Sequence, residues 1–356
     1  MLAALLTSTA AYASDLDDPF PLRNQLPFNL LLLNQTPVTA RLLPPGQVRL
    51  ALTLTYENTQ AASDGLVRLF QADNFATYGG RVTLPVLETV AAGEPGRSAF
   101  ILDGETLRAT FGLRVGLTSR VEAGLEIPVL LQSGGFLDSI IDGYHDRFNF
   151  PDGGRSAFAR NQYVAGYVGD GEAFFLAGAP SGPGLGDIVI SARASVLGET
   201  RRRPAVAAGV TGKLPTGSAA RLRGSGSFDY AGSIQASKGI GRSTLHAGFL
   251  ETVVGDWEIA PKIPLRNTRS LFATYVFSAT ARTSLIAQTL RSSSPFPFRT
   301  GSDLGRVAWE LAAGFRHRLP KEVDFECALI ENIDRNQNTP DIGVFFGLSR
   351  GIKLRR

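Results

Sequence analysis

The stretch Glu105–Leu131, ETLRATFGLRVGLTSRVEAGLEIPVLL, constrains the fold more than any other. Its odd positions are apolar: Leu107, Ala109, Phe111, Leu113, Val115 and Leu117, then Val121, Ala123, Leu125, Ile127, Val129 and Leu131. Between them stand Thr106, Arg108, Thr110, Gly112, Arg114 and Gly116, then Glu122, Gly124, Glu126 and Pro128. Period two marks a strand with one apolar and one polar face. Thr118 and Ser119 are almost all that separates the two runs, so the pattern predicts a hairpin.

A soluble sheet can show this pattern once. Here it recurs, over 48–56, 107–117, 121–131, 188–196, 205–214, 227–238, 244–253, 270–279, 282–291, 307–317, 323–331 and 341–352. Each run is about nine to twelve residues, the length of a tilted bilayer-crossing strand. Short and long connections take turns: 59–104, 133–184, 215–226, 254–269, 292–306 and 332–340 are the long ones. An up-and-down barrel in an outer membrane does this, whereas a sandwich gives no reason for it. In lipid every backbone polar group needs a partner, so the sheet must close. The expected fold is all-β, an antiparallel up-and-down transmembrane β-barrel of about twelve strands, with fourteen as the alternative. Within 59–104, the pieces 66–71 and 80–87 read as strand-like. Within 133–184, Phe136–Phe150 reads as a short helix.

The remaining chain fits a Gram-negative outer-membrane location. No apolar run reaches the 18 residues of a spanning helix. The net charge of +4 is scattered, which leaves no patch for nucleic acid. Residues 1–13 read as a signal peptide ending at Ala11-Tyr12-Ala13, without the usual basic start, as if truncated or begun at a misplaced start codon. Cys327 is the single cysteine, which excludes an intrachain disulfide. Residues 14–47 carry six prolines and predict an irregular N-terminal arm, a periplasmic segment or a lumen plug, ahead of a barrel over 48–354.

Several segments resemble known barrels. GLGDIVISARASV, AVAAGVTGKLPTGS and GSFDYAGSIQASKGIG are similar to outer-membrane barrels associated with meta-pathway phenol degradation. RNQLPF, ILDGETLRATFGLRVGL and GGFLDSIIDGYHDRFNFP resemble the bacterial domain-of-unknown-function (DUF) family 3187, in the same barrel group. The resemblance implies an outer-membrane location and no established chemistry.

The polar strand faces should line the lumen, with Arg108, Arg114, Glu122, Glu126, Arg193, Asp229, Glu310 and Arg316 among them. Both signs of charge are present. They fit a structural network of ion pairs or a polar conduit for a small solute. Asp138, Asp142, His145 and Asp146 share one face of the expected helix. That spacing can hold a metal, but with no second ligand cluster the expected role is turn capping and pairing with Arg147 and Arg155. Phe136, Ile140, Ile141, Tyr144, Phe148 and Phe150 need cover, which suggests a gate or cap folded into or over the barrel mouth. His246 and His317 stand on separate strands, with no clear serine partner in the sequence.

The functional expectation is therefore a narrow channel or transporter for small solutes, possible ligands being apolar or aromatic. A structural or binding barrel with a plugged lumen is the alternative, and an outer-membrane lipid hydrolase a remote one. No catalytic residue, metal or cofactor is expected. The expected partner is outer-membrane lipid; the sequence leaves the oligomeric state open.

Overall fold

A computed structural model describes residues 15–34, 36–94, 96–149, 154–169, 171–260, 265–296, 303–333 and 338–354. The signal peptide expected over 1–13 lies outside these residues. The strands are β1 (Gln47–Ala62), β2 (Ala99–Gly116), β3 (Val121–Ser133), β4 (Val164–Gly169), β5 (Glu172–Ala177), β6 (Gly184–Leu185), β7 (Ile188–Leu197) and β8 (Ala205–Leu214). They continue as β9 (Asp229–Ile240), β10 (Ser243–Val253), β11 (Thr268–Ser278), β12 (Thr283–Ser292), β13 (Ala308–Leu319), β14 (Val323–Asn332) and β15 (Ile342–Lys353).

Twelve of these strands close an antiparallel up-and-down barrel, in the order β1, β2, β3 and β7 to β15. Closure joins first strand to last, from Gln47↔Lys353 to Asn58↔Ile342. The twelve runs read from the sequence are these twelve strands. The hairpin of the opening stretch is β2–β3, with Leu113 opposite Leu125. β9 and β10 are joined by Gly241 and Arg242 alone, and Gly241 takes φ +60°. A positive φ at this position matches the twist of a two-residue hairpin and favours glycine.

The alternation sorts the faces as expected. Leu50, Leu113, Leu125 and Ile190 form one outward row across β1, β2, β3 and β7. Outward residues elsewhere include Val210, Leu245, Leu271, Leu285, Leu311 and Leu329, all exposed. A belt of exposed large apolar side chains on a closed barrel is a surface for lipid. Cys327 sits half-buried on this face between Phe325 and Leu329. A membrane-impermeant thiol reagent should therefore label it far more slowly in intact cells than in detergent-unfolded protein; equal rates would place it at water.

Beyond the lipid belt, β1 and β2 run on and carry an outer buttress. The segments 66–71 and 80–87, expected as strand-like, fall instead in or at the start of helices α1 (Asp64–Asp73) and α2 (Leu84–Gly93). Their buried residues recur every four positions, Leu66 with Phe70 and Leu87 with Ala91, and Pro85 occupies the first turn of α2. That period and a first-turn proline belong to helices. Both helices pack on Ala62, Ile101 and Val164. The 133–184 connection supplies a third helix, α3 (Asp138–Phe148), and the hairpin β4–β5, which extends β2 through Ala99↔Val168 to Asp103↔Val164. β6 adds a two-residue pairing to β3.

Candidate functional site: a barrel lumen occupied by the N-terminal arm

Residues 15–34 run up the lumen and turn at the long-loop end, and residues 36–46 return to β1. The wall holds the rising leg by its backbone. Gln288 accepts from Phe20 N and donates to Phe20 O, each at 3.0 Å. Arg316 donates to Asp18 O at 2.7 Å and to Pro19 O at 3.2 Å. Higher up, Gln25 donates to Glu57 at 2.8 Å and Asn24 to Asn338 O at 2.9 Å. The falling leg is held in the same way: Leu33 N donates to Asp229 (2.7 Å), Ala40 N to Ser237 Oγ (2.8 Å) and Leu43 N to Glu122 (2.9 Å). Prolines leave the arm short of backbone donors and unable to form a regular ladder, so lumen side chains satisfy its remaining polar groups.

The lumen is less uniformly polar than the sequence reading assumed. Phe20 and Leu22 pack on Val276, Ile286, Ala312, Ala328, Ile330 and Phe345, all on the inward parity of β11 to β15. Most of the charged wall residues around the remaining space lie across from it, on β1 to β3 and β7. There Glu122 accepts from Arg114 (2.8 Å) and Arg193 (2.5 Å), while Arg193 also donates to Thr39 O (2.6 Å). Arg23 of the arm pairs with Glu126. On the apolar side itself, Arg316 of β13 pairs with Glu326 of β14 at 3.1 Å. A buried charge that loses its partner is strongly destabilising, so the Arg23–Glu126 pair, which joins arm to wall, also fixes where the arm lies.

Between the two legs and the wall remains a cavity of about 180 Å3. Of the lumen residues expected from sequence, Arg108, Arg114, Glu122, Glu126, Arg193 and Arg316 line it. Asp229 and Glu310 do not. Asp229 receives Leu33 N and Gly255 N and pairs with Lys213 at 3.4 Å; Glu310 is buried beside Leu22 and Arg23.

The turn of the arm closes the mouth. Phe28 meets Trp257, Phe174 and Phe296 edge-on at centroid distances of 5.2, 5.5 and 5.7 Å. Leu26, Leu31, Phe100, Leu102, Leu222 and Leu304 complete this core. Phe28→Ala should cost about 3–5 kcal/mol, the usual loss for a fully buried aromatic. A lowered denaturation midpoint and early protease cleavage within 20–34 would register it; an unchanged midpoint would mean the turn is not docked.

The described contacts of the 136–149 segment are with the outward side of β1 and β2. Glu105 accepts from Phe136 N (2.9 Å) and Leu137 N (2.6 Å) at the start of α3. Asp138 accepts from Asn58 (3.1 Å), Arg155 (2.8 Å) and Asn161 N (2.6 Å). Asn58 and Glu105 continue the outward parity of β1 and β2, so α3 is moored to the outside of the wall, not over the mouth. Phe136 stacks on outward Tyr56 at 5.7 Å, and Phe136 and Ile140 stay 58% and 57% exposed while Ile141 is buried. Gly135 makes the mooring possible: it takes φ +69°, and any Cβ there would collide with the Glu105 carboxylate. Burial disfavours the charge on Arg155, yet Asp341, Asp138 and Asp103 around it raise its pKa above the ordinary value. Asp142 pairs with Arg160 at 2.7 Å, and Asp146 and Arg147 are exposed. The side chains of Tyr144, His145 and Phe148, and Phe150 as a whole, lie outside what is described.

Two further motifs resolve into clasps. Asp187 of the Gly-Asp strand accepts from Lys213 (2.6 Å) and Gly217 N (2.8 Å), and Thr216 Oγ1 donates to Gly186 O (2.8 Å). Sequence reasoning gave His246 no serine partner; the structure gives it Ser237, directly opposite on β9, at 2.8 Å from Nδ1. Its Nε2 lies 2.6 Å from Asp17 O, a pure acceptor, so Nε2 carries the proton and Ser237 donates to Nδ1. Ser237 Oγ is already occupied by Ala40 N, under the arm. The pair holds the two legs of the arm together. His317 bonds to Thr283 Oγ1 at 2.9 Å.

The protein-of-unknown-function family DUF3187 matches residues 96–352. The chain belongs to the DUF3187 family. The match covers β2 through nearly all of β15, and the arm and β1 precede it. No curated protein sequence matches this DUF3187 chain. Among solved structures it is similar to the COG4313 outer membrane channel from Pseudomonas putida F1, with 10% identity, 88% of this chain and 98% of that one covered, and a TM-score of 0.52. A FadL homologue from Pseudomonas aeruginosa (10% identity, 89% and 94% covered) gives 0.37, and the Pseudomonas putida toluene transporter TodX (9%, 93% and 98%) gives 0.38. At these identities the likeness is one of fold: the DUF3187 chain is a barrel of the outer-membrane type.

Proposed function

We propose that this DUF3187 protein is a channel or transporter of the bacterial outer membrane that passes small solutes when its N-terminal arm shifts. The observation that carries this is the arm itself. It is held in the lumen by hydrogen bonds, ion pairs and apolar contacts alone, beside a cavity of about 180 Å3. Such contacts can exchange, whereas a solid core cannot. The apolar belt takes outer-membrane lipid as its partner. Small apolar or aromatic solutes suit the aromatic turn at the mouth. The reading assigns no catalysis and no role with nucleic acid; labelling of Ser237 by a serine-hydrolase probe would count against the first.

A second reading is a permanently plugged structural or binding barrel. The number of side chains bonded to the arm backbone favours it. Liposome swelling separates the two: the channel reading expects entry of small neutral solutes above that of empty liposomes and exclusion of large sugars, while a permanent plug gives no entry at all.

A further inference from the structure

Among the described residues, the charges facing the cavity are joined in close ion pairs with one exception. Its wall carries six arginines and four carboxylates. Arg23 has Glu126, Arg114 and Arg193 share Glu122, Arg316 has Glu326, and Arg49 lies 3.8 Å from both Asp18 and Asp324. Arg108 is different. It is 6% exposed, lines the cavity and, among the described residues, forms no ion pair. Its one hydrogen bond is from Nε to Thr110 Oγ1, at 3.1 Å, so the outer edge of the guanidinium is left for the cavity. Arg108 lies opposite Thr55 in the β1–β2 register, and Thr53, Thr55 and Thr110 all line the same space.

Glu126 and Asp187 act on Arg108 from beyond ion-pair distance, and Glu126 is already taken by Arg23. A guanidinium taken out of water with no counter-charge in contact is costly. Its fork matches a carboxylate or a phosphate, each accepting two parallel N–H bonds, and in a space with apolar walls the singly charged carboxylate carries the smaller desolvation cost. The threonine hydroxyls can add donors to the same anion. Other parts of the cavity wall are apolar, with Pro19, Pro21, Pro37 and Val38 from the arm and Ala51 and Val189 from the barrel. We propose that this cavity is a binding site for a small organic monocarboxylate, its carboxylate on Arg108 and its short apolar body against the arm prolines. The site touches both the wall and the arm, so an occupant bears on the segment that would have to move. The class of solute deepens the channel reading and rests on it; the binding site itself does not need flux.

Equilibrium binding to the full chain in detergent, with benzoate and benzamide as probes, tests this. The two have nearly the same shape and differ in charge. Benzoate should bind at least tenfold more tightly than benzamide, and Arg108→Gln should remove that preference. Equal binding of the two probes, binding of neither, or an unchanged benzoate affinity in R108Q would overturn the proposal. If R108Q does not assemble, the benzoate-to-benzamide ratio on the native chain and its retention in Arg108→Lys decide: a ratio near one overturns the site. Liposome swelling keeps the two readings apart. Flux of neutral solutes without benzoate binding sinks the site and leaves the channel; benzoate binding without flux does the reverse.

Discussion

Arginine at Leu113 or Leu125 should prevent this chain from inserting efficiently into a bilayer. The two residues face each other across β2–β3 and sit in the outward row Leu50–Leu113–Leu125–Ile190. A charged side chain on the lipid face near the midplane costs about 2–4 kcal/mol, falling toward zero at the interfaces. That cost is a large share of the net stability of an ordinary fold. Folding yield in liposomes, followed by the gel shift of the closed barrel, measures it. Arginine at the neighbouring inward position Gly112 meets water and lumen rather than lipid, so it should affect folding less through lipid exposure. Wild-type yields for both outward variants would mean the register is shifted by one residue, which would turn every side chain over.

The barrel was legible because its signal is local and repeated. Period two, strand length and the alternation of short and long connections sit in the residues themselves. The inward charges followed from the same parity, and Arg108, Arg114, Glu122, Glu126, Arg193 and Arg316 do share one cavity. Where reading failed, the deciding contacts lay outside the local pattern. The segments 66–71 and 80–87 are too short for period two and period four to separate by eye, yet Leu66/Phe70, Leu87/Ala91 and Pro85 carried the helical sign. That α3 would be moored outside the wall depends on Glu105 and Asn58, distant in sequence. The outward parity of these two strands, continued past the lipid belt, is the signal that could have placed it.

Other features were present and passed over. Phe272, Val276, Ile286 and Leu290 make β11 and β12 apolar on both faces, which marks a part of the lumen filled by protein instead of water. Leu26-Pro27-Phe28 and the run Leu30–Leu33 give the arm an apolar face that requires cover. Ser237 and His246 are equidistant from the Gly241–Arg242 turn, so their pairing follows from hairpin geometry. The aromatic partners of Phe28 could not be read in this way. Trp257, Phe174 and Phe296 come from three different connections, and only the closed barrel brings them together.

The central claim is that the arm, and not the 136–150 segment, closes this barrel. Single-channel conductance in planar bilayers tests it most directly, on three proteins: the full chain, a chain lacking residues 15–43, and a chain lacking 134–150. Removing the arm empties the space between Phe20 and the wall and the turn around Phe28, and leaves β1 and its pairing to β15 intact. Conductance should rise by about tenfold or more, toward that of an open lumen between filled eight-stranded barrels and wide porins. The 134–150 deletion should leave conductance near that of the full chain, because the mooring it removes is outside the wall. An arm-deleted barrel that assembles yet conducts no better than the full chain would contradict the account, and so would a 134–150 deletion that opens the pore.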